Sequence, residues 1–164
     1  MIISVNGLTL NSTASSNGYY LDEPIDGLGL PQMRTSSGNN SGKHGGYVGA
    51  QFYGMRLITL TGHMFGQGTD AQAQMQSLDA LRKGLAAAVS GAGPFVMNIT
   101  TNSGGLYTLN VYLDALDMPV AKAPTMCDFK LSLIAPDTNI YDNSAGGALS
   151  ATVSKQTTGG ITWP

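Results

Sequence analysis

The chain has 164 residues, one domain's worth, and a formal charge of −2 from 8 Lys and Arg against 10 Asp and Glu, which supplies no basic field for nucleic acid and no polybasic membrane anchor. One cysteine, Cys127, excludes an internal disulfide framework and paired-cysteine metal sites, and no apolar run reaches the roughly 18 residues of a membrane-spanning helix. Charged residues are only 11% where a typical domain carries about 25%, and the 22 glycines are about twice the usual share, so the surface is built from uncharged polar groups that cost less than ions to bury against another protein.

Met1-Ile2-Ile3-Ser4-Val5-Asn6 has no basic start of a signal peptide, so synthesis in the cytosol is expected. Ile2–Val5 and residues 8–10 read as a hairpin around Asn6-Gly7, the pair best able to supply two positive-φ residues. A polar stretch leads to Tyr19-Tyr20-Leu21. A strand-like segment follows over 27–34, where Pro31 argues for a sheet edge. Residues 35–46, TSSGNNSGKHGG, hold four glycines and no aliphatic residue. They predict a mobile loop or hairpin tip, either an exposed connector or an element ordered against a neighbouring subunit. Gly38, Asn39, Asn40, Lys43, His44, Gly45 and Gly46 are its candidate contact residues.

Residues 47–53 and Arg56–Phe65 are expected to pair with each other through a turn at Gly54-Met55. Ile58, Leu60 and Met64 should share one face of the second strand, with Thr59, Thr61 and His63 on the other. One helix is predicted over about 70–90. Thr69 and Gln72 form its capping box, Ala71, Met75, Leu78, Leu81, Leu85 and Ala88 its apolar stripe, and Ser90-Gly91 its end. Three strands follow. Phe95, Met97 and Ile99 alternate in the first; Tyr107, Leu109, Val111, Leu113 and Ala115 line the buried face of the second; and Phe129, Leu131 and Leu133 point inward from the last, over 128–135. The order predicts an α+β fold, a mainly antiparallel β-sandwich or rolled sheet with one flanking helix. Residues 1–141 form the domain, and 142–164, rich in Ser, Ala, Gly and Thr, a linker or C-terminal arm.

No catalytic or cofactor-binding constellation emerges. His44 and His63, the two histidines, have no ligand-spaced Cys or carboxylate beside them and read as surface residues. Asp114 and Asp117 cannot share a strand face by simple alternation, and Asp22, Glu23 and Asp26 read as turn residues. Gly27-Leu28-Gly29 runs into Leu30-Pro31 rather than into a phosphate-binding helix. Cys127 lies beside Asp128, whose charge should raise its thiol pKa. Neither an enzyme nor a metal or cofactor site is expected. Tyr19, Tyr20, Tyr47 and Tyr53 leave open a platform for a sugar- or receptor-binding β module.

Several segments together resemble the distal tail proteins of long non-contractile-tailed phages. They are Leu30-Pro31-Gln32-Met33-Arg34 before a glycine-rich loop; Tyr53-Gly54-Met55-Arg56-Leu57-Ile58-Thr59-Leu60-Thr61-Gly62, with the family's aromatic-glycine-x-Arg pattern; a Gln/Leu/Ala helix after that strand; and Phe129-Lys130-Leu131-Ser132-Leu133-Ile134-Ala135-Pro136-Asp137 followed by Tyr141. Gly159-Gly160-Ile161-Thr162-Trp163-Pro164 is similar to the stretch leading into that family's second domain. The sequence departs from the pattern in having His44-Gly45-Gly46 where Asp-Gly is usual, and Pro136-Asp137 where Asp-Pro is commoner. The resemblance implies a tail-tube-like fold and a hexameric ring at the virion tail tip. That ring would join the tail-tube protein to the baseplate hub, with DNA passing its lumen without specific binding. It also makes Ile161, Trp163 and Pro164 candidate partner-binding residues. A tail-tube subunit is the related alternative.

Overall fold

The computed structural model describes residues 1–11, 17–119 and 125–143. Ten strands and one helix run in the order β1 (Ile2–Val5), β2 (Leu8–Asn11), β3 (Tyr19–Leu21), β4 (Met33–Asn39), β5 (Gly46–Tyr53), β6 (Arg56–Phe65), α1 (Ala71–Val89), β7 (Phe95–Thr100), β8 (Leu106–Asp117), β9 (Met126–Ala135) and β10 (Tyr141–Asp142). Asn6 and Gly7 take φ of 49° and 83°, the two left-handed residues that let β1 turn tightly back into β2.

The main sheet closes on itself. Hydrogen bonding runs β8-β7-β1-β2-β3-β6-β9 and returns from β9 to β8, with β10 added beside β8. The expected sandwich is therefore a closed seven-stranded barrel, the rolled alternative carried to completion. Closure depends on the length of β8. Its residues 106–111 pair with β7, and beyond them Tyr112 to Asp117 pair with β9. A bulge between Leu113 and Ala115 shifts the alternation there, so Leu113 is exposed and Leu116, rather than Ala115, packs against the core. All junctions are antiparallel except β2–β3, which is parallel and joined at a single residue pair, Asn11↔Tyr20.

The interior is one apolar cluster drawn from every barrel strand and from the helix. Along β6, Ile58, Leu60 and Met64 are fully buried, as the period of two predicts. The helix runs as expected but is capped one residue later. The Asp70 carboxylate, not Thr69, accepts the Ala73 N–H at 2.7 Å, where a negative charge also meets the positive end of the helix dipole. Leu78, Leu85 and Val89 enter the core and Leu81 and Ala88 flank it, while Met75 stays exposed. The Tyr19 hydroxyl donates to the Leu81 carbonyl at 2.8 Å and Asn6 Nδ2 to that of Ala88 at 2.9 Å, fixing the helix along its length.

One pairing expectation fails, and one strand boundary moves. β5 does not pair with β6, because β6 already has β3 on one edge and β9 on the other. Instead β5 pairs with β4 in a separate two-stranded sheet. Residues 35–39 are consequently strand, and the loop shrinks to 40–45. The strand-like segment around Pro31 begins only at Met33, which leaves Pro31 in the connector before it.

Candidate interaction surface

The β4–β5 hairpin stands apart from the barrel as an arm. Its register runs from Met33↔Tyr53 to Asn39↔Gly46, with a bulge between Thr35 and Ser37. The tip is closed by Asn40 N–H donating to the Gly45 carbonyl at 3.1 Å. Gly42 and Gly45 take φ of 75° and 98°, which side chains other than glycine's adopt at a cost. Gly38 lies under the Tyr47 ring: a Cβ there would stand 2.8 Å from the Tyr47 hydroxyl. The structure thus gathers Gly38, Asn39, Asn40, Lys43, His44, Gly45 and Gly46 at the outer half of one hairpin. Ile161, Trp163 and Pro164 lie outside the described residues.

Nothing in the arm is buried. Every residue of β5 is exposed, including Phe52 at 67% and Val48 at 66%, and Met33, Tyr47 and Tyr53 join them. Among the described residues neither outer edge of the hairpin has a strand partner. An isolated two-stranded hairpin is marginal in water, and unpaired edges beside exposed apolar side chains are templates for another chain. Arg34 and Lys43 are its formal charges, and all ten acidic residues lie elsewhere.

The four tyrosines do not form one platform. Tyr19 points into the core, where burial raises its phenol pKa; Tyr20 packs edge-on against Phe65 at 4.9 Å between centroids; and Tyr47 and Tyr53 lie on the arm.

One charged cluster is invisible in the sequence. His63 faces Asp128 across the β6–β9 ladder, with Nδ1 at 2.7 Å from its carboxylate, while Nε2 lies 3.4 Å from Asp22. The two carboxylates address opposite nitrogens of the ring, so they do not converge on one point. Among the described residues no group of three His, Cys, Asp or Glu is arranged to hold a metal ion. Cys127 is buried, and its Sγ lies 3.2 Å from the Pro119 carbonyl. Burial is the main cause of its raised thiol pKa; Arg82 opposes the shift, and Asp128 adds to it in the direction expected.

No protein-family model matches the chain, and no curated protein does. Among solved structures it is similar to the Dit protein of phage SPP1, described as a paradigm of the hub adsorption apparatus in phages infecting Gram-positive hosts. The TM-score is 0.61 at 13% identity over 86% of this chain. The chain spans about half of that protein, 51% of its length. Weaker likenesses reach a sheath-tube complex of an extracellular contractile injection system (11% identity, TM-score 0.43, 88% of each chain) and the tube-terminating cap of the anti-feeding prophage (14%, 0.42, 86% of this chain and 87% of that one). The likeness to the SPP1 Dit protein establishes that the chain has the Dit-like, tail-tube-related fold.

Proposed function

We propose that this chain is a structural protein of a phage tail, not an enzyme, and that it assembles into a hexameric ring at the distal end of a long non-contractile tail. The ring would connect the tail-tube protein to the baseplate hub and leave a central channel through which DNA passes without specific binding. Residues 1–141 would form the ring-building domain, and 142–164 a linker or partner-binding arm ending in Ile161, Trp163 and Pro164.

The observation that carries this reading is the arm on a Dit-like barrel. A hairpin that buries none of its apolar side chains in its own subunit is stabilised by contact with another. Placing the arm of each copy on the barrel of the next makes a head-to-tail contact, which closes into a ring when the rotation per subunit divides the circle. Charge is consistent with the same pairing, since the two charged residues of the arm are both basic while the rest of the chain holds all ten acidic residues against six basic ones.

Light scattering of the purified chain over a concentration series, with negative-stain imaging, tests the proposal. The expected particle is a ring near six times the 17.0 kDa protomer. Filaments that lengthen with concentration would identify a tube subunit instead. A strict monomer that gains thermal stability from a sugar would identify a binding module.

A further inference from the structure

The arm meets the barrel through two short connectors, 27–32 on the way out and Gly54-Met55 on the way back, and the barrel-side ends of both lie at one side chain. Arg56 is the first residue of β6 and is 5% exposed. Its Nη1 donates to the carbonyls of Gly27, at 2.9 Å, and Gly29, and Nη2 to that of Thr138 at 2.9 Å. It forms no ion pair with a carboxylate among the described residues, and Nε finds no acceptor there. A buried cation held by three neutral carbonyls is unusual, because burying a charge is costly unless something specific holds it. The outgoing connector is also pressed onto β6. Gly27 has φ +88°, and a Cβ there would overlap the Leu57 carbonyl and stand 2.8 Å from Ile58 Cα. Thr59 N–H donates to the Asp26 carbonyl at 3.2 Å, and Gly54 N–H to that of Gln32 at 2.8 Å, across the root of the hairpin.

We infer that Arg56 is a positioning residue that sets the direction of the arm before any partner arrives. A planar guanidinium presents several donors in a fixed fork, so it can hold Gly27, Gly29 and Thr138 at once from two nitrogens; a lysine ammonium donates its three hydrogens from a single nitrogen and lacks that fork. The arm therefore leaves the barrel as a braced lever rather than on a loose tether. Bracing lowers the ordering cost of association. This last consequence rests on the reading of the arm as an inter-subunit contact, whereas the bracing does not.

Hydrogen exchange of the full chain, read by mass spectrometry, tests the bracing directly, with light scattering run in parallel. Arg56→Met should speed exchange in 26–34 and 136–140 by about tenfold or more, the scale of losing charged hydrogen bonds, while β7, β8 and β9 exchange as in the wild type. Arg56→Lys should fall between the two, and both variants should assemble only at higher concentration. Unchanged exchange at the connectors overturns the inference. A uniform rise over the whole barrel overturns it as well, because it makes Arg56 an ordinary fold residue. If Arg56→Met does not fold, Arg56→Lys carries the same comparison of connectors against barrel. A protein that never assembles removes the ring reading but leaves the exchange result decisive for the bracing.

Discussion

β6 and β5 are neighbours in the chain and similar in kind, yet they end in opposite environments. β6 alternates, with Ile58, Leu60 and Met64 sealed in the barrel and Leu57, Thr61 and Phe65 outside. β5 carries Tyr47, Val48, Phe52 and Tyr53, all of them exposed. β6 has a partner strand on each edge; among the described residues β5 has one on a single edge, and all of its residues are exposed. The same strand chemistry is therefore buried in the barrel and left exposed in the arm, and neighbours rather than residue type decide which.

The strongest way to break that contrast is inside the barrel. Leu60→Ala and Leu131→Ala remove fully buried side chains and should each cost about 2–5 kcal/mol in urea unfolding. The arm should respond in the opposite sense. Phe52→Ser with Val48→Ser should leave unfolding within about 0.5 kcal/mol of wild type yet abolish the assembled particle in light scattering. Loss of stability without loss of assembly would contradict the division. A smaller effect is expected at the helix cap: Asp70→Ala should lower stability by about 1 kcal/mol, read as a lower thermal midpoint in circular dichroism, with assembly unchanged.

The smallest effect concerns β10 and pH. The Tyr141 hydroxyl donates to the Asp137 carboxylate at 2.5 Å, and this bond, with help from the Asn139 backbone, lowers the carboxyl pKa below its ordinary 3.8. The same bond raises the phenol above its ordinary 10.0. A depressed carboxyl favours the fold above its ordinary value and loses that contribution as pH falls through the folded one. A raised phenol favours the fold below its ordinary value and loses that contribution as pH rises through the folded one. β10 should thus be held best between about pH 3.8 and 10.0. Asp137→Asn should flatten the acid side of the profile, measured as exchange at the Asn143 amide, which donates to the Leu106 carbonyl at 2.7 Å.

Local features were legible in the sequence because local chemistry determines them. Asn6-Gly7 could be read as a tight turn and Ile58, Leu60 and Met64 as one buried face, since each depends on residues within a few positions. The helix was legible from its stripe; its cap was misplaced because Thr69 and Asp70 both suit the role, and the carboxylate has the stronger claim. Pairing beyond the β1–β2 hairpin was not legible. Whether 47–53 joins 33–39 or β6 depends on which edges of β6 are taken, and that is settled by β9, some seventy residues on. The Asp22–His63–Asp128 cluster was hidden for the same reason, because it exists only through the register of β3, β6 and β9. The candidate contact residues at 38–46 could be found by composition alone, but not the strands that carry them outward or the arginine at their root.

The placement of β1 sets the order of events during synthesis. Its partner away from the hairpin is β7, joined as Ile2↔Thr100, so the first strand leaves the ribosome roughly 100 residues before that edge can be covered. At about 5–20 residues per second the wait is several seconds or more, and the ring of strands cannot shut until β9 follows. The β4–β5 hairpin pairs only within itself, so both of its strands are available to meet as soon as Tyr53 is made, and hairpin formation takes about 1–10 μs. The nascent chain therefore carries the whole exposed hairpin, Met33–Asn39 and Gly46–Tyr53, well before the strands that seal its core have been made.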